Sequence, residues 1–274
     1  MSISQAIAVE RPPPQARGWP RARIVGYALV GLWILFGLGI LAYLVYAWNG
    51  EFFARYAPAY LQGLGTTLSL VTVSMIAGAI LSLPVTYARM SKNRILSGLA
   101  YCYVYFFRGT PLLVQTYLVY YGIGSFRPQL EMVGLWWFFR DAFYCGVFAF
   151  SLNTSAYQAE ILRGAIESVP RGQWEGAASL GLHKLQTLRK VILPQAIIVA
   201  LRPYGNELVL MIKASAIVAI ITVYDLMGNA KLAYAKSFDI QAYIWVAMVY
   251  LVMVEILRHG VEWIERRITI HLKR

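Results

Sequence analysis

The chain has 274 residues, of which 59% are hydrophobic and only 14% charged, with a net charge of +12 and a mean hydropathy of +0.55. A soluble domain carries about a quarter of charged residues, so this balance excludes a soluble globular protein and defines an integral membrane protein. The positive charge does not indicate nucleic acid, because Arg and Lys gather beside the apolar runs, where cytoplasmic anchoring puts them.

In chain order, residues 1–23 hold Pro12, Pro13 and Pro14 among Arg11, Arg17, Arg21 and Arg23 and read as a disordered, basic cytoplasmic tail. Residues 24–48 carry no charge. A run of about 25 residues is too long for the apolar region of a cleaved signal peptide and predicts a first transmembrane helix. A second span over 61–88 is rich in Gly63, Gly65, Thr66, Thr67, Ser69 and Gly78, which let helices approach closely in lipid. It ends at Arg89, Lys92 and Arg94, the mark of a cytoplasmic turn.

An aromatic run then reaches Arg108-Gly109-Thr110-Pro111. A cation in hydrocarbon is costly and the residue before a proline avoids the α conformation, so Arg108 is expected near the cytoplasmic boundary, with a helix break and a third span over 111–125. Residues 127–141, with Glu131, Trp136 and Trp137, read as an extracytoplasmic connection with an aromatic belt. A fourth span, 143–166, is interrupted by Asn153, Thr154, Ser155, Gln158 and Glu160. Beyond a polar stretch come a fifth span over 197–223, a connection through Asp225, Lys231, Lys236 and Asp239, a sixth span over 240–257 and a basic cytoplasmic tail, 259–274. Six spans with both termini inside put every basic segment on one face of the bilayer.

Cys102 and Cys145 sit in apolar surroundings and read as reduced packing residues, and His183, His259 and His271 form no ligand cluster, so no metal site is expected.

The polar stretch, 169–196, is the least ordinary part of the chain. Trp174, Ala177, Ala178, Gly181, Leu185, Leu188 and Ile192 recur at spacings of three and four, opposite Gln173, Glu175, Lys184, Gln186, Arg189 and Lys190. Pro170 and Gly172 punctuate its start, Gly181 suits a helix C-cap, and Pro194 stands where the apolar pattern resumes. A helix-turn-helix lying on the bilayer surface follows. Physics alone leaves open whether it merely lies there or docks a soluble partner.

Glu175, Ala177, Gly181, Ile192, Leu193 and Pro194 resemble the "EAA" loop of permease subunits of ATP-binding-cassette (ABC) importers, with Gly176 where the first Ala is usual. The runs FFRGTPLLVQ from Phe106, NTSAYQAEILRGAIESVPRGQ from Asn153 and NELVLMIKASAIVAIITVYDLM from Asn206 are similar to the polar amino acid permeases of the histidine, arginine and opine uptake family, nearest its HisM-like branch. The resemblance covers residue 61 onward. It implies an all-α integral membrane protein with the type I importer (MetI-like) permease core of five transmembrane helices over 61–258, a coupling loop at 169–196, and an extra N-terminal helix at 24–48. It also implies binding-protein-dependent, ATP-driven import of polar amino acids, above all basic ones (arginine, histidine, lysine) or opines, by a multi-pass protein of the bacterial inner membrane. The implied partners are two ABC ATPase subunits, a second permease completing a heterodimer, and a periplasmic amino acid-binding protein. ATP and Mg would belong to the ATPase, because no G-x-x-x-x-G-K-[ST] phosphate loop occurs here and the chain performs no covalent chemistry. Coupling to that ATPase would fall to Glu175, Gly176, Ala177, Ala178, Gly181 and Pro194.

A pathway for polar solutes needs residues that hydrocarbon rejects, and the candidates are Gln115, Asn153, Thr154, Tyr157, Glu160, Asn206, Glu207, Lys213 and Ser215. Asn153, Tyr157 and Glu160 lie at offsets of four and three, so one helical face presents amide, phenol and carboxylate, which suits a cationic amino acid. The competing assignment is structural: such groups often bond only neighbouring helices, Glu160 could pair with Arg163 or Arg108, and Glu207 with Lys213. A stand-alone ion-coupled transporter and a membrane-embedded enzyme are the rival functions. The first requires midplane ionisable groups and inverted repeats, the second a facing constellation of acid, His or Cys.

Overall fold

The computed structural model describes residues 21–269, and every regular element among them is helical. The chain divides between Glu51 and Phe52 into two units. The first contains α1 (Arg21–Tyr46), whose apolar residues are spread round the whole helix, as lipid on all sides requires. The predicted tail 1–23 falls outside the described residues as far as residue 20. Arg21 to Arg23 belong instead to the first turn of α1, because arginine is a good helix former and nothing before the apolar run breaks the helix.

α2 (Gly50–Arg89) begins well ahead of the predicted 61–88 and carries Pro58 and Pro84 inside it. α3 (Arg94–Gly109) starts at Asn93, whose side chain accepts from the Ile95 and Leu96 amides at 2.9 and 3.3 Å. The helix break expected before Pro111 is present: α4 (Leu112–Tyr117) follows and runs into a π-helical turn, Leu118–Ile123. Short α5 (Arg127–Met132) and α6 (Trp136–Phe139) fill the 127–141 connection. The polar residues of the fourth span do not interrupt it, since α7 (Ala142–Glu167) is one continuous helix capped by Asp141.

α8 (Arg171–Ser179) and α9 (Lys184–Thr187) make up the polar stretch. A π-helical turn, Leu188–Ile192, joins α9 to α10 (Leu193–Ser215), and a 3-10 segment, Ala216–Ile221, closes at Thr222 in the left-handed conformation. The connection expected through 225–239 is largely helix: Asp225 accepts from the Gly228 amide at 2.7 Å and starts α11 (Leu226–Ser237). α12 (Gln241–Thr269) continues far past residue 257, so the predicted tail 259–274 is helical to Thr269, its Glu262–Arg266 and Glu265–Thr269 neighbours supporting the extra turns. Residues 270–274 lie outside the described part.

Among the described residues, four stretches are long and apolar enough to cross a bilayer: Arg21–Tyr46, Gly50–Arg89, the continuous Lys184–Ile221 and Gln241–Thr269. The third predicted span corresponds to the shorter apolar Leu112–Ile123. The fourth, α7, has 26 residues, about 39 Å of helix, but is too polar to qualify by composition. It is the interior helix of the second unit, with Cys145, Ala149, Phe150, Thr154, Ser155, Ala156 and Ala159 all buried. One apolar core joins Leu70, Phe150, Ile212, Ile221, Leu226 and Val246, and a second joins Leu162, Ile166, Ile192, Ala196 and Ala200 next to the polar stretch.

The crossing of α2 on α7 depends on Gly78, where an added Cβ would meet Thr154 Cγ2 at 2.3 Å and Ser151 O at 3.3 Å. A Cβ at Gly65, on the same helix, meets nothing within 4 Å. Thermal unfolding of the purified protein should therefore show Gly78→Ala less stable than Gly65→Ala by about 1–3 kcal/mol, the usual cost of overpacking. Equal melting points for the two variants would mean that α2 and α7 do not cross here.

Candidate translocation and coupling site

The break between α3 and α4 originates in Pro111. Without an N–H, Pro111 leaves the Phe107 carbonyl without its intrahelical donor, and in hydrocarbon that carbonyl must be satisfied by other means. Asn153 Nδ2 donates to it at 2.9 Å and Gln115 Nε2 at 3.0 Å. Gln115 also bonds Thr110 O and Oγ1, and its own oxygen accepts from Asn153 at 3.0 Å. Tyr157 Oη reaches the next carbonyl, Arg108 O, at 3.4 Å. Two of the residues proposed for the pathway, Gln115 and Asn153, are thus buried and committed to holding the break closed.

The face formed by Asn153, Tyr157 and Glu160 does point one way, toward the α3–α4 break and the end of α2. Arg108 lies alongside the second half of α7, its guanidinium 5.1 Å over the Tyr157 ring. The helical residues of α3 separate it from the basic turn at Arg94. Glu160 accepts from Arg89 Nε at 2.9 Å through one oxygen and from Arg163 at 2.7 Å through the other. Of the two partners foreseen for it, Arg163 is realised and Arg108 is not. Two open clefts flank the Arg108–Tyr157 stack, one of about 400 Å³ toward Gly164, Val199 and Pro203, the other of about 380 Å³ toward Arg89, Tyr101 and Tyr105.

The remaining candidates do not join this group. Thr154 Oγ1 donates to Glu207 Oε1 at 2.9 Å and accepts from Gln158 Nε2 at 3.1 Å, a buried relay tying α7 to α10. Glu207 thus bonds Thr154 rather than Lys213. Asn206 is exposed and lines a third cleft, about 490 Å³, between α10 and α12 with Arg202, Arg258 and Glu262. Neighbours in sequence on a helix diverge by about 100°, which sends Asn206 and Glu207 to different sides. Ser215 is buried, bonding Ile212 O at 2.7 Å, and lines none of these clefts.

In the polar stretch, Gly181 adopts φ +73° and closes α8 in a Schellman turn, with Leu182 N to Ala177 O at 3.1 Å and Gly181 N to Ala178 O at 2.9 Å. Trp174 packs α8 onto the Ile166–Ile192 core, and Gln195 Nε2 reaches Gln173 Oε1 at 3.4 Å. Glu175, Gly176, Ala178 and Gly181 are exposed, whereas Ala177 is buried against its own chain and offers nothing to a partner. Leu180 and Leu185, 81% and 67% exposed, complete an outer surface that sequence periodicity misassigned. The turn at Gly181 resets the helical phase, so the apolar stripe of α8 does not continue into α9. Pro194 sits at the start of α10, where its missing N–H disturbs least, and the helix from Lys184 to Ile221 passes it without a break.

A helical membrane protein whose polar stretch is continuous with a spanning helix, and whose clefts open beside an exposed arginine, has the construction of a transport subunit. Residues 74–270 match the family described as binding-protein-dependent transport system inner membrane component, and the chain belongs to that family. It is 43% identical over 195 residues to the nopaline transport system permease protein NocM of Agrobacterium fabrum, covering 71% of this chain and 81% of that protein. To the arginine ABC transporter permease protein ArtM of Escherichia coli K12 it is 36% identical over 213 residues, 78% of this chain and 96% of the relative. The crystal structure of an amino acid ABC transporter with histidines superposes with a TM-score of 0.70 at 35% identity, covering 80% of this chain and 98% of that one. The chain is thus an ABC importer permease, a multi-pass inner membrane protein, and the stand-alone ion-coupled transporter is not favoured.

Glu160 is the junction of the Arg89–Glu160–Arg163 network, so Glu160→Gln should lower stability in thermal unfolding by about 1–3 kcal/mol, because the amide keeps one uncharged acceptor oxygen where the carboxylate served both arginines and only Arg163 has Glu167 in reserve. An unshifted melting point would free Glu160 from a structural role.

Proposed function

We propose that the chain is one of two permease subunits of an importer for polar amino acids, above all basic amino acids or opines, driven by a separate pair of ATPase subunits that bind ATP and Mg. An extracytoplasmic amino acid-binding protein would deliver the solute, and both termini would face the bacterial cytoplasm, as the basic segments favour. The substrate class is supported by the nopaline and arginine transport names of the relatives.

The observation that carries this reading is the continuity of the helix from Lys184 to Ile221 with an exposed docking surface beside its start. Glu175, Leu180 and Leu185 project from α8 and α9, and Trp174 clamps α8 to the base of α10. A push on this surface by closing ATPase subunits would travel along α10, which remains helical through its interior Pro203. At Glu207, α10 is bonded to Thr154 on α7, so both helices that border the clefts would tilt together. Glu175 supplies a charge for a basic residue or helix N-terminus of the ATPase, and Gly176, Ala178 and Gly181 permit close approach.

The test is co-purification from native membranes of the tagged chain, wild type beside Glu175→Lys. Wild type should retain an ATPase subunit whose hydrolysis rises with arginine, histidine, lysine or an opine, and Glu175→Lys should lose roughly tenfold or more of that bound ATPase while staying in the membrane, the scale of one reversed charge pair at a docking surface. Retention of the ATPase with undiminished stimulation would remove Glu175 from coupling, and absence of any ATPase from wild type would overturn the proposal.

A further inference from the structure

Arg108 has no obvious employment in the fold. Its carbonyl helps define the break, but its guanidinium is exposed, stacked on Tyr157, with no carboxylate within ion-pair distance among the described residues. Glu160 is the one acid lining the two flanking clefts among those residues, and both its oxygens are taken, by Arg89 and by Arg163. Arg108 stands beside Tyr157 of α7, and a guanidinium facing hydrocarbon would cost about 2.5–3.5 kcal/mol or more. A cation retained there faces protein or water, and the clefts of about 400 and 380 Å³ on either side give water and solutes access to it. Glu160 is neutralised by its two arginines, and Glu207, buried and bonded to Thr154, lies within electrostatic reach of Arg108 without pairing with it.

We propose that Arg108 binds the α-carboxylate of the amino acid in transit, an assignment that rests on the amino acid importer reading above. The planar guanidinium presents paired N–H donors that match a carboxylate two-to-two, and the Tyr157 ring behind it fixes the plane by a cation–π contact. Gln115 and Asn153, by bonding the Phe107 carbonyl, hold the peptide that carries Arg108. The arrangement recognises what all amino acid substrates share and leaves the choice of side chain to other contacts. It also reverses the polarity expected of this face: the charge offered to the solute is the guanidinium, and the Glu160 carboxylate is internal.

The permease complex, purified with its companion subunits into nanodiscs without binding protein, should be titrated with labelled L-arginine and L-histidine in competition with agmatine and histamine, their counterparts lacking the carboxylate. In wild type each decarboxylated compound should compete roughly tenfold or more weakly than its parent, the scale of one charge-assisted interaction. In Arg108→Gln the affinity for the parent should fall by that factor, agmatine and histamine should be unchanged, and the discrimination should collapse, whereas Arg108→Lys should keep part of it. Undiminished discrimination in Arg108→Gln overturns the inference while leaving the importer reading intact. Loss of the companion permease from Arg108→Gln also overturns it, making Arg108 an interface group. A wild-type complex that binds neither labelled amino acid sinks the substrate reading and the inference together.

Discussion

Every polar side chain on α7 has to find a partner inside a helix bundle that offers no water, and that requirement organises the second unit. Ser74 on α2 reaches the Val147 carbonyl, Thr86 the Ala159 carbonyl, Tyr103 on α3 the Leu152 carbonyl and Ser155, and Glu207 on α10 accepts from Thr154. These bonds fix which faces of the surrounding helices turn inward, a task that apolar contact alone performs poorly in lipid because tails are as apolar as leucine. Glycine at the α2 crossing lets the backbones approach near enough for them. Gln158 Oε1 alone among the described buried side-chain polar atoms lacks a partner, although its amide nitrogen bonds Met75 O and Thr154.

The same requirement explains the α3–α4 break. A proline inside a membrane helix frees a carbonyl, and here the donors that repair the loss come from outside the segment, from Asn153, and from one turn ahead, from Gln115. Because one of the repair groups, Asn153, belongs to α7, the break cannot slide or straighten without undoing a bond to another helix. Arg108 and Tyr157 are consequently held together, the guanidinium over the ring and the tyrosine hydroxyl donating to the Arg108 carbonyl.

Sequence patterning located the helices and the two special backbone positions, the break at Pro111 and the turn at Gly181, because each follows from a local rule about φ or a missing N–H. It misjudged ends. α12 carries on through Arg258, His259 and Arg266 because polar residues stop a membrane span without stopping a helix, and α11 was hidden because a 12-residue helix capped by Asp225 has no apolar run long enough to register. The offsets of Asn153, Tyr157 and Glu160 rightly put them on one face, but offsets carry no information about what that face meets. Only the packing reveals that Asn153 repairs a carbonyl, that Glu160 is consumed by Arg89 and Arg163, and that Asn206 and Glu207 part company. Arg108 is legible as an anomaly, a cation just before Gly-Thr-Pro in an apolar run, but only the packing shows its guanidinium stacked on Tyr157 between two clefts.

The placement of the polar stretch follows from the geometry of α10. Pro194 stands at the start of α10 and Pro203 inside it, yet the helix runs on from Lys184 to Ile221, and the π-helical turn Leu188–Ile192 turns α9 into register with α10. Force applied near Glu175 would enter through Trp174 and the Ile192–Ala196 core and reach Glu207 along a single helix. There the load would pass to α7 through one buried hydrogen bond between a carboxylate and Thr154. Thr154 lies only about 60° round α7 from Tyr157, so motion transmitted through this bond would act on the helix face next to the one that carries Tyr157 and Glu160.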